Sequence, residues 1–177
     1  TQDRDSAVLG KLGGEPRMFP LTVKIHGRAQ DEYSYQVAGF WQTAPFFALL
    51  AVEMSSARWQ GEGNPYNLHA RSSISLRGVP GPLVLENDYA EYSVVAPSFE
   101  LVMMPLAQLT MNRFREVEIA GVDFELEVRP GREAATIESV TLDRPRAEPG
   151  SRVMITVGLK PWQGAAEQRR IALDIPE

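Results

Sequence analysis

Alternating apolar residues in the last third of the 177-residue chain restrict most strongly what it can fold into. Apolar side chains recur at every second position within residues 117–128, 153–159 and 171–175. A period of two is typical of strands that bury one face and expose the other. Turn-forming residues separate these runs at Pro130-Gly131, Pro149-Gly150 and Trp162-Gln163-Gly164. The pattern predicts that the chain ends in an antiparallel β module of about four strands.

The first part of the chain also contains alternating runs. Residues 19–25 predict a strand, and Tyr33, Tyr35 and Val37 predict the strand that returns beside it. Residues 66–76 predict a further strand, followed by a return strand that opens at residue 83. These segments predict an antiparallel sheet built from hairpins.

Two segments have helical rather than strand periodicity. Residues 43–58 begin with a capping Thr43 and Pro45, and their apolar side chains recur at spacings of three and four. We expect Phe47 and Leu50 to face the sheet as core residues. A second helical region is predicted over residues 90–112, with a break or kink at Pro97 or Pro105.

These elements predict an α+β fold, in which an antiparallel sheet with two helices precedes a small antiparallel β module. The order strand, strand, helix occurs twice, which indicates a repeated β-β-α plan. We expect an α+β domain over residues 1–115, including its lead-in segment, and a β-sandwich-like, Ig-like module over residues 116–177. No flexible linker separates them, so the two parts are expected to pack closely.

Composition excludes several classes of function. Net charge is −5, and the 18 Lys and Arg residues are scattered, so no basic face is predicted for nucleic acid. The chain has no cysteine, which excludes disulfides and thiolate zinc sites without fixing the compartment. The longest apolar run, residues 46–52, is too short to span a membrane. Because the chain starts at Thr1 and shows no signal-like segment, we expect a processed product or a piece of a longer chain.

Several short stretches together resemble the larger bacterial members of the SpoIVB-type serine peptidase family. They are residues 1–4 (Thr-Gln-Asp-Arg), 8–13 (Val-Leu-Gly-Lys-Leu-Gly), 20–23 (Pro-Leu-Thr-Val), 137–144 (Ile-Glu-Ser-Val-Thr-Leu-Asp-Arg) and 148–150 (Glu-Pro-Gly). The resemblance implies a non-cytoplasmic bacterial protein, periplasmic or secreted, whose peptidase core lies upstream of Thr1.

The family's catalytic residues have no counterpart in this chain. Its nucleophile occupies a Gly-x-Ser-Gly-x-Pro turn, and no serine here precedes a glycine. Its catalytic histidine follows a glycine, whereas His26 follows Ile25 and His69 follows Leu68. The resemblance therefore implies the non-catalytic region downstream of the peptidase core.

Candidate site residues are few. His26 and His69 have no second ligand at metal-binding spacing, so we interpret them as structural or surface histidines and predict no catalytic residue, metal site or cofactor. Five aromatic residues could instead form a binding surface, or could simply pack over the edge of the core: Tyr33, Tyr35, Trp41, Trp59 and Trp162.

Three functional interpretations follow. The first is a structural, regulatory or protein-binding region of an exported SpoIVB-type peptidase-like protein, whose partner is the upstream peptidase core or another protein. The second is an independent ligand-binding or adhesion module that uses the exposed aromatics. The third and weakest is an autonomous hydrolase, which would need a convergent His, Ser and acid.

Overall fold

The computed structural model describes residues 17–40, 42–59, 65–91 and 93–177. The described residues form eight strands, in two sheets, and two helical regions. The strands are β1 (Met18–His26), β2 (Gln30–Ala38), β3 (Tyr66–Leu76), β4 (Leu83–Glu91), β5 (Ile119–Pro130), β6 (Ala135–Leu142), β7 (Arg152–Pro161) and β8 (Glu167–Asp174). The first helical region is α1 (Ala44–Ser56) with a 3₁₀ turn (Ala57–Trp59), and the second comprises α2 (Val95–Ser98), a π-helical segment (Phe99–Met103) and α3 (Met104–Thr110). The protein is thus a mixed α+β fold whose sheets are mostly antiparallel.

Strand β5 occupies the centre of the first sheet, whose order is β2-β1-β5-β3-β4. It pairs in parallel with β1 and antiparallel with β3. The expectation that this segment belongs to the C-terminal β module is wrong. Its alternation correctly indicated a strand, but alternation does not say which strands lie beside it.

One face of the first sheet carries the core. Strand β1 contributes four buried side chains at alternate positions: Phe19, Leu21, Val23 and Ile25. Strand β5 contributes Val122, Phe124, Leu126 and Val128 in the same way. The helices cover this face, so the core is one layer between sheet and helices.

Helix α1 lies on the sheet through its small residues. The residues that it buries are Ala44, Pro45, Ala48, Ala51, Val52, Ser55 and Ser56. The predicted helix is confirmed, but the expectation that Phe47 and Leu50 face the sheet is wrong, because these side chains are 45% and 39% exposed. Small side chains let the helix lie close to the sheet, and the large apolar residues then point outward. The helix is apolar on nearly all sides, so periodicity alone could not fix which side faces the core.

The second helical region is interrupted, as its prolines predict. Pro105 has no N–H to donate to the carbonyl of Leu101, and the turn before it widens. The Met104 N–H donates instead to the carbonyl of Phe99, five residues earlier. Leu101, Val102 and Leu106 are buried along this region and contribute to the core.

The second sheet has three antiparallel strands in the order β6-β7-β8. Pairing places most of the apolar residues of the three strands on one face, while Met154 and Ala172 lie on the other. Every residue of β6 and β8 is exposed, and Val153 of β7 is a buried exception. Strand β7 confirms the strand predicted for residues 153–159. The apolar face of this sheet is nevertheless largely exposed.

The two sheets meet at the segment that joins β5 to β6. The Gly131 N–H donates to the carbonyl of Pro65 at 3.1 Å, and the Glu133 N–H donates to Oδ1 of Asn67 at 2.8 Å. The guanidinium of Arg132 lies over the Trp162 ring, 5.9 Å from its centroid. These contacts join the end of the first sheet to the hairpin tip of the second, while the apolar face of the second sheet stays exposed.

Candidate binding surface

The outer side of helix α1 is an exposed apolar surface. Its exposed side chains are Phe46, Phe47, Leu50 and Met54. Glu53 is the only charged residue of the helix, and its carboxylate accepts a hydrogen bond from the Ser98 hydroxyl. Monomeric proteins rarely leave a helix this apolar without a cover, so its outer side is a candidate docking surface.

A groove runs between α1 and the second helical region. Its volume is about 330 Å³, and one polar side chain is found among its walls. The lining residues are Gln42, Pro45, Phe46, Met103, Ala107 and Met111. Methionine side chains are flexible and polarisable, so such a groove can adapt its shape to different apolar side chains.

A larger cleft of about 610 Å³ lies where this groove reaches the end of the first sheet. Three arginines, Arg17, Arg113 and Arg115, line it together with the aromatic rings of Phe40 and Phe114. The Phe114 side chain is 99% exposed. This volume is in the range of pockets that bind ligands or side chains of a partner.

The loop that follows α3 positions part of this cleft. The carboxamide of Asn112 accepts a hydrogen bond of 3.0 Å from the Phe114 N–H, which turns the chain just after the helix. The turn holds Arg113, Phe114 and Arg115 at the cleft. Their side chains lie on a loop carried by a rigid layer, a common arrangement for binding residues.

Positive charge in this cleft is only partly balanced. Arg17 faces Glu116 with 3.7 Å between Nη1 and Oε1, and both side chains are largely exposed, so the pair contributes little stability. Arg113 and Arg115 make no ion pair with any other described residue. Two guanidinium groups are therefore available for a carboxylate, which arginine can bind through two parallel hydrogen bonds.

The apolar groove and the basic cleft adjoin each other. Ala44 lines the cleft while Pro45 lines the groove, and Thr110 lines the cleft while Met111 lines the groove. Together they make one surface with an apolar stretch that ends in positive charge. We call it the groove-cleft surface.

The aromatic residues singled out from the sequence have structural contacts. Tyr33 and Tyr35 pack against the core, and the Tyr35 hydroxyl lies 2.8 Å from Oγ of Ser55 on α1. Nε1 of Trp59 donates to Asp31 at 3.2 Å. A Cβ on Gly27 would lie 2.6 Å from the Trp59 ring, so glycine is required for this close approach.

The remaining two aromatics do not join that group. Trp162 lies at the tip of the β7–β8 hairpin, partly exposed beside Arg132. Trp41 lies outside the described residues. The described members of the predicted set thus lie at separate places, on the sheet, at the end of α1 and on the second sheet. Their use as a binding surface stays a prediction.

Both histidines lie on the face of the first sheet that the helices leave open. His26 is paired with Glu127 across β1 and β5, and His69 is paired with the same Glu127 across β5 and β3. Nδ1 of His69 lies 2.9 Å from Asp88 and Nε2 lies 3.9 Å from Glu86. Among the described residues no serine hydroxyl is bonded to either histidine, and no three potential ligands are grouped to hold a metal ion. A row of charged and polar side chains thus crosses the open face of this sheet.

Sequence reasoning misses the groove-cleft surface for two reasons. Periodicity places Phe46 and Phe47 in an apolar stripe that faces the core, and the arginines are scattered along the chain. The sequence does contain one indication of this surface. Residues 111–115 (Met-Asn-Arg-Phe-Arg) place two arginines on either side of a phenylalanine in a segment that follows a predicted helix. Its meaning depends on the end of α1, which only the fold brings beside it.

Fold and surface together define a mixed α+β protein with an exposed apolar groove. No helix in the described part of the chain has the length and apolar character needed to cross a membrane. Comparison with known proteins found no matching family model, no matching curated protein and no matching solved structure.

Proposed function

We propose that this chain is a non-catalytic protein-binding region and that the groove-cleft surface receives a segment of its partner. The observation that carries the proposal is the exposed apolar outer side of α1, continuous with a groove that ends at Arg113 and Arg115. The matching segment presents large apolar side chains to the groove and a carboxylate to the arginines. Such a segment is an amphipathic helix or turn with an acidic end.

The physical basis of affinity differs along the surface. Burial of Phe46, Phe47 and Leu50 supplies the part of the binding affinity that does not depend on the orientation of the segment, because each Å² of apolar area removed from water contributes about 25 cal/mol. The arginines supply orientation, because a carboxylate at the wrong end of the segment leaves them unpaired. Met103 and Met111 allow the groove to accept more than one apolar side chain.

We further propose that the parent protein is an exported bacterial protein of SpoIVB-type peptidase character. The stretches described above, from the residue 1–4 segment to the Glu-Pro-Gly turn, support this proposal. In that setting the partner segment belongs to the upstream peptidase core or to another protein outside the cytoplasm, and this region has a structural or regulatory role.

Two finer aspects of architecture belong to the same proposal. The order β1, β2, α1 followed by β3, β4, α2 is compatible with a repeated β-β-α plan. The three-stranded sheet is compatible with one layer of an Ig-like sandwich, since its apolar residues share one face. The second of these also favours an interaction partner, because a single sandwich layer leaves its apolar face uncovered.

Selection of peptides from a random pool tests the binding proposal whatever the identity of the partner. Random peptides displayed on phage are selected on the full chain, and enriched sequences are synthesised and measured by fluorescence polarisation. We expect enriched peptides to combine large apolar residues with Asp, Glu or a free carboxyl terminus. Replacing Arg113 and Arg115 with Gln should weaken binding by about tenfold or more at low salt, because charge-assisted hydrogen bonds contribute about 1.5–3 kcal/mol.

A matched control removes the same number of charges elsewhere. Lys24 and Arg71 lie on the open face of the first sheet, so their replacement with Gln should leave peptide affinity unchanged. Phe46→Ser should weaken binding even at high salt, where the arginine contribution is screened. Failure to enrich any peptide, or equal binding by all variants, would overturn the proposal. Covalent labelling of a serine by a fluorophosphonate probe would show that the chain is catalytic.

A further inference from the structure

The second sheet has one largely aliphatic face that includes residues of all three strands. The register places Leu142, Ile155 and Ile171 in one row across the three strands. In the next row Val140 lies beside Val157, and Arg169 of β8 completes the row. Directly paired residues point to the same side of a sheet, so these rows form one surface.

Side chains on this face are exposed on both outer strands. Val140 is 58% exposed and Leu142 is 54% exposed on β6, while Ile171 is 53% exposed on β8. Among the described elements, β6, β7 and β8 pack extensively only on one another. No described helix or strand of the first sheet covers this face, on which Val153 is the buried aliphatic side chain.

The opposite face has a different chemistry. The register there places Thr141, Thr156 and Arg170 in one row. A sheet with one aliphatic and one polar face is the pattern of a layer that packs on another layer.

From this pattern we infer that the aliphatic face is covered by the same face of a second copy, so that two chains form a six-stranded sandwich. An identical sheet matches the first in width, strand length and pleat, and isologous two-fold contact is the commonest form of association between identical chains. Two charged residues of β8 share this face, Arg169 beside Val157 and Glu167 beside Leu159, and they balance each other, because Nε of Arg169 lies 3.1 Å from Oε1 of Glu167. Two such faces can therefore approach without burying an unpaired charge.

The size of the face sets the strength of the dimer. Burial of one Val, Leu or Ile is worth about 1.5–3 kcal/mol at about 25 cal/mol per Å², or roughly 60–120 Å² per side chain. Eight half-covered aliphatic side chains, leaving out the buried Val153, then expose on the order of 250–500 Å² of apolar area per copy. Two faces with their polar rims approach about 1,200 Å², the lower end of stable interfaces, so the dimer should dissociate at micromolar concentration.

Sedimentation equilibrium of the full chain between about 1 and 200 µM tests the inference, over the range expected for an interface of this size. We expect the average mass to rise from that of one copy to that of two. Val140→Lys should abolish the rise because it places an unpaired charge on the aliphatic face beside Val157. Thr141→Lys is the matched control, since it adds the same charge to the next residue of the same exposed strand on the polar face.

A second pair of variants, on β8, tests the same interface in case the β6 variants fail to fold. Ile171→Lys should abolish dimerisation, and Ala172→Lys on the opposite face should preserve it. Circular dichroism and thermal melting confirm that each variant is folded. A wild-type chain that stays monomeric at 200 µM overturns the inference. So does a dimer that survives both face variants, or one that is lost on Phe47→Ser in α1 instead, because association would then use another surface.

Discussion

The Tyr89 hydroxyl donates a hydrogen bond of 2.8 Å to the Glu100 carboxylate, which connects the end of β4 to the π-helical segment. Partial burial and this carboxylate together raise the pKa of Tyr89 from 10.0 to about 12, with burial the larger cause. The contact is therefore also a source of pH dependence.

Stability should fall at high pH because of this tyrosine. The folded state holds the Tyr89 proton more tightly than the unfolded state, so the contribution is fully present below pH 10 and is lost between about pH 10 and 12. Denaturant titrations at pH 8 to 11.5 should show this loss, and Tyr89→Phe should reduce it. Glu100→Gln should lower the pKa of Tyr89 only in part, because burial remains. Absorbance titration in which all five tyrosines ionise together near pH 10 would contradict the prediction.

Alanine substitutions in the helices should lower the free energy of unfolding much more at inward-facing residues than at outward-facing ones. Leu50→Ala should change the free energy of unfolding by only about 0.5 kcal/mol, because Leu50 lies on the outer side of α1. Leu106→Ala should cost about 2–5 kcal/mol, because Leu106 of α3 is fully buried in the core. Chemical denaturation of the two variants measures the difference. Similar losses for both would mean that α1 is turned toward the sheet by its large residues.

Removal of a buried hydroxyl group on β3 should stabilise the fold, in contrast to the loss expected for Leu106→Ala. Ser72 is fully buried in the core, and its Oγ makes no hydrogen bond to a described residue. Removing an unpaired buried hydroxyl relieves its desolvation cost, so Ser72→Ala should stabilise the fold by about 1 kcal/mol. Ser56→Ala is the control, because the Ser56 hydroxyl donates to the carbonyl of Val52 and its loss should not stabilise. A destabilised Ser72→Ala variant would show that the hydroxyl has a partner in solution.

Local patterns predicted most elements of this fold because they depend on neighbours in the chain. The hairpin of β1 and β2 follows from alternation on both sides of a short turn, and the irregular second helical region follows from Pro97 and Pro105. The orientation of α1 did not follow, because its apolar residues surround the helix axis. Its buried side consists of small residues such as Ala48 and Ser56, which hydrophobic periodicity does not select.

Contacts between distant segments were beyond the reach of those patterns. The position of β5 between β1 and β3 depends on strands about 100 and 50 residues away along the chain, which periodicity does not identify. The same topology brings His26 and His69 to either side of Glu127, and it brings the Arg113 loop beside the start of α1. The groove-cleft surface consequently required the fold, although each of its side chains is visible in the sequence.

The central place of β5 leads to a prediction about how the chain divides. A cut after residue 115, the boundary that the sequence predicts, would separate β5 from both of its neighbours. The fragment of residues 1–115 would then expose the facing edges of β1 and β3 and would lose the buried side chains of Val122, Phe124 and Leu126. We expect it to remain largely unfolded.

A cut after residue 132 keeps the first sheet whole. The fragment of residues 1–132 should unfold cooperatively, with a melting temperature close to that of the same region in the full chain, because the hydrogen bonds it loses lie at the junction near Asn67 and Glu133. Calorimetry of both fragments beside the full chain provides the comparison. A fragment of residues 1–115 that melts cooperatively near the full-chain temperature would show that β5 is dispensable. In that case the C-terminal module would begin at residue 116, and the central pairing of β5 would contribute little to the stability of the first sheet.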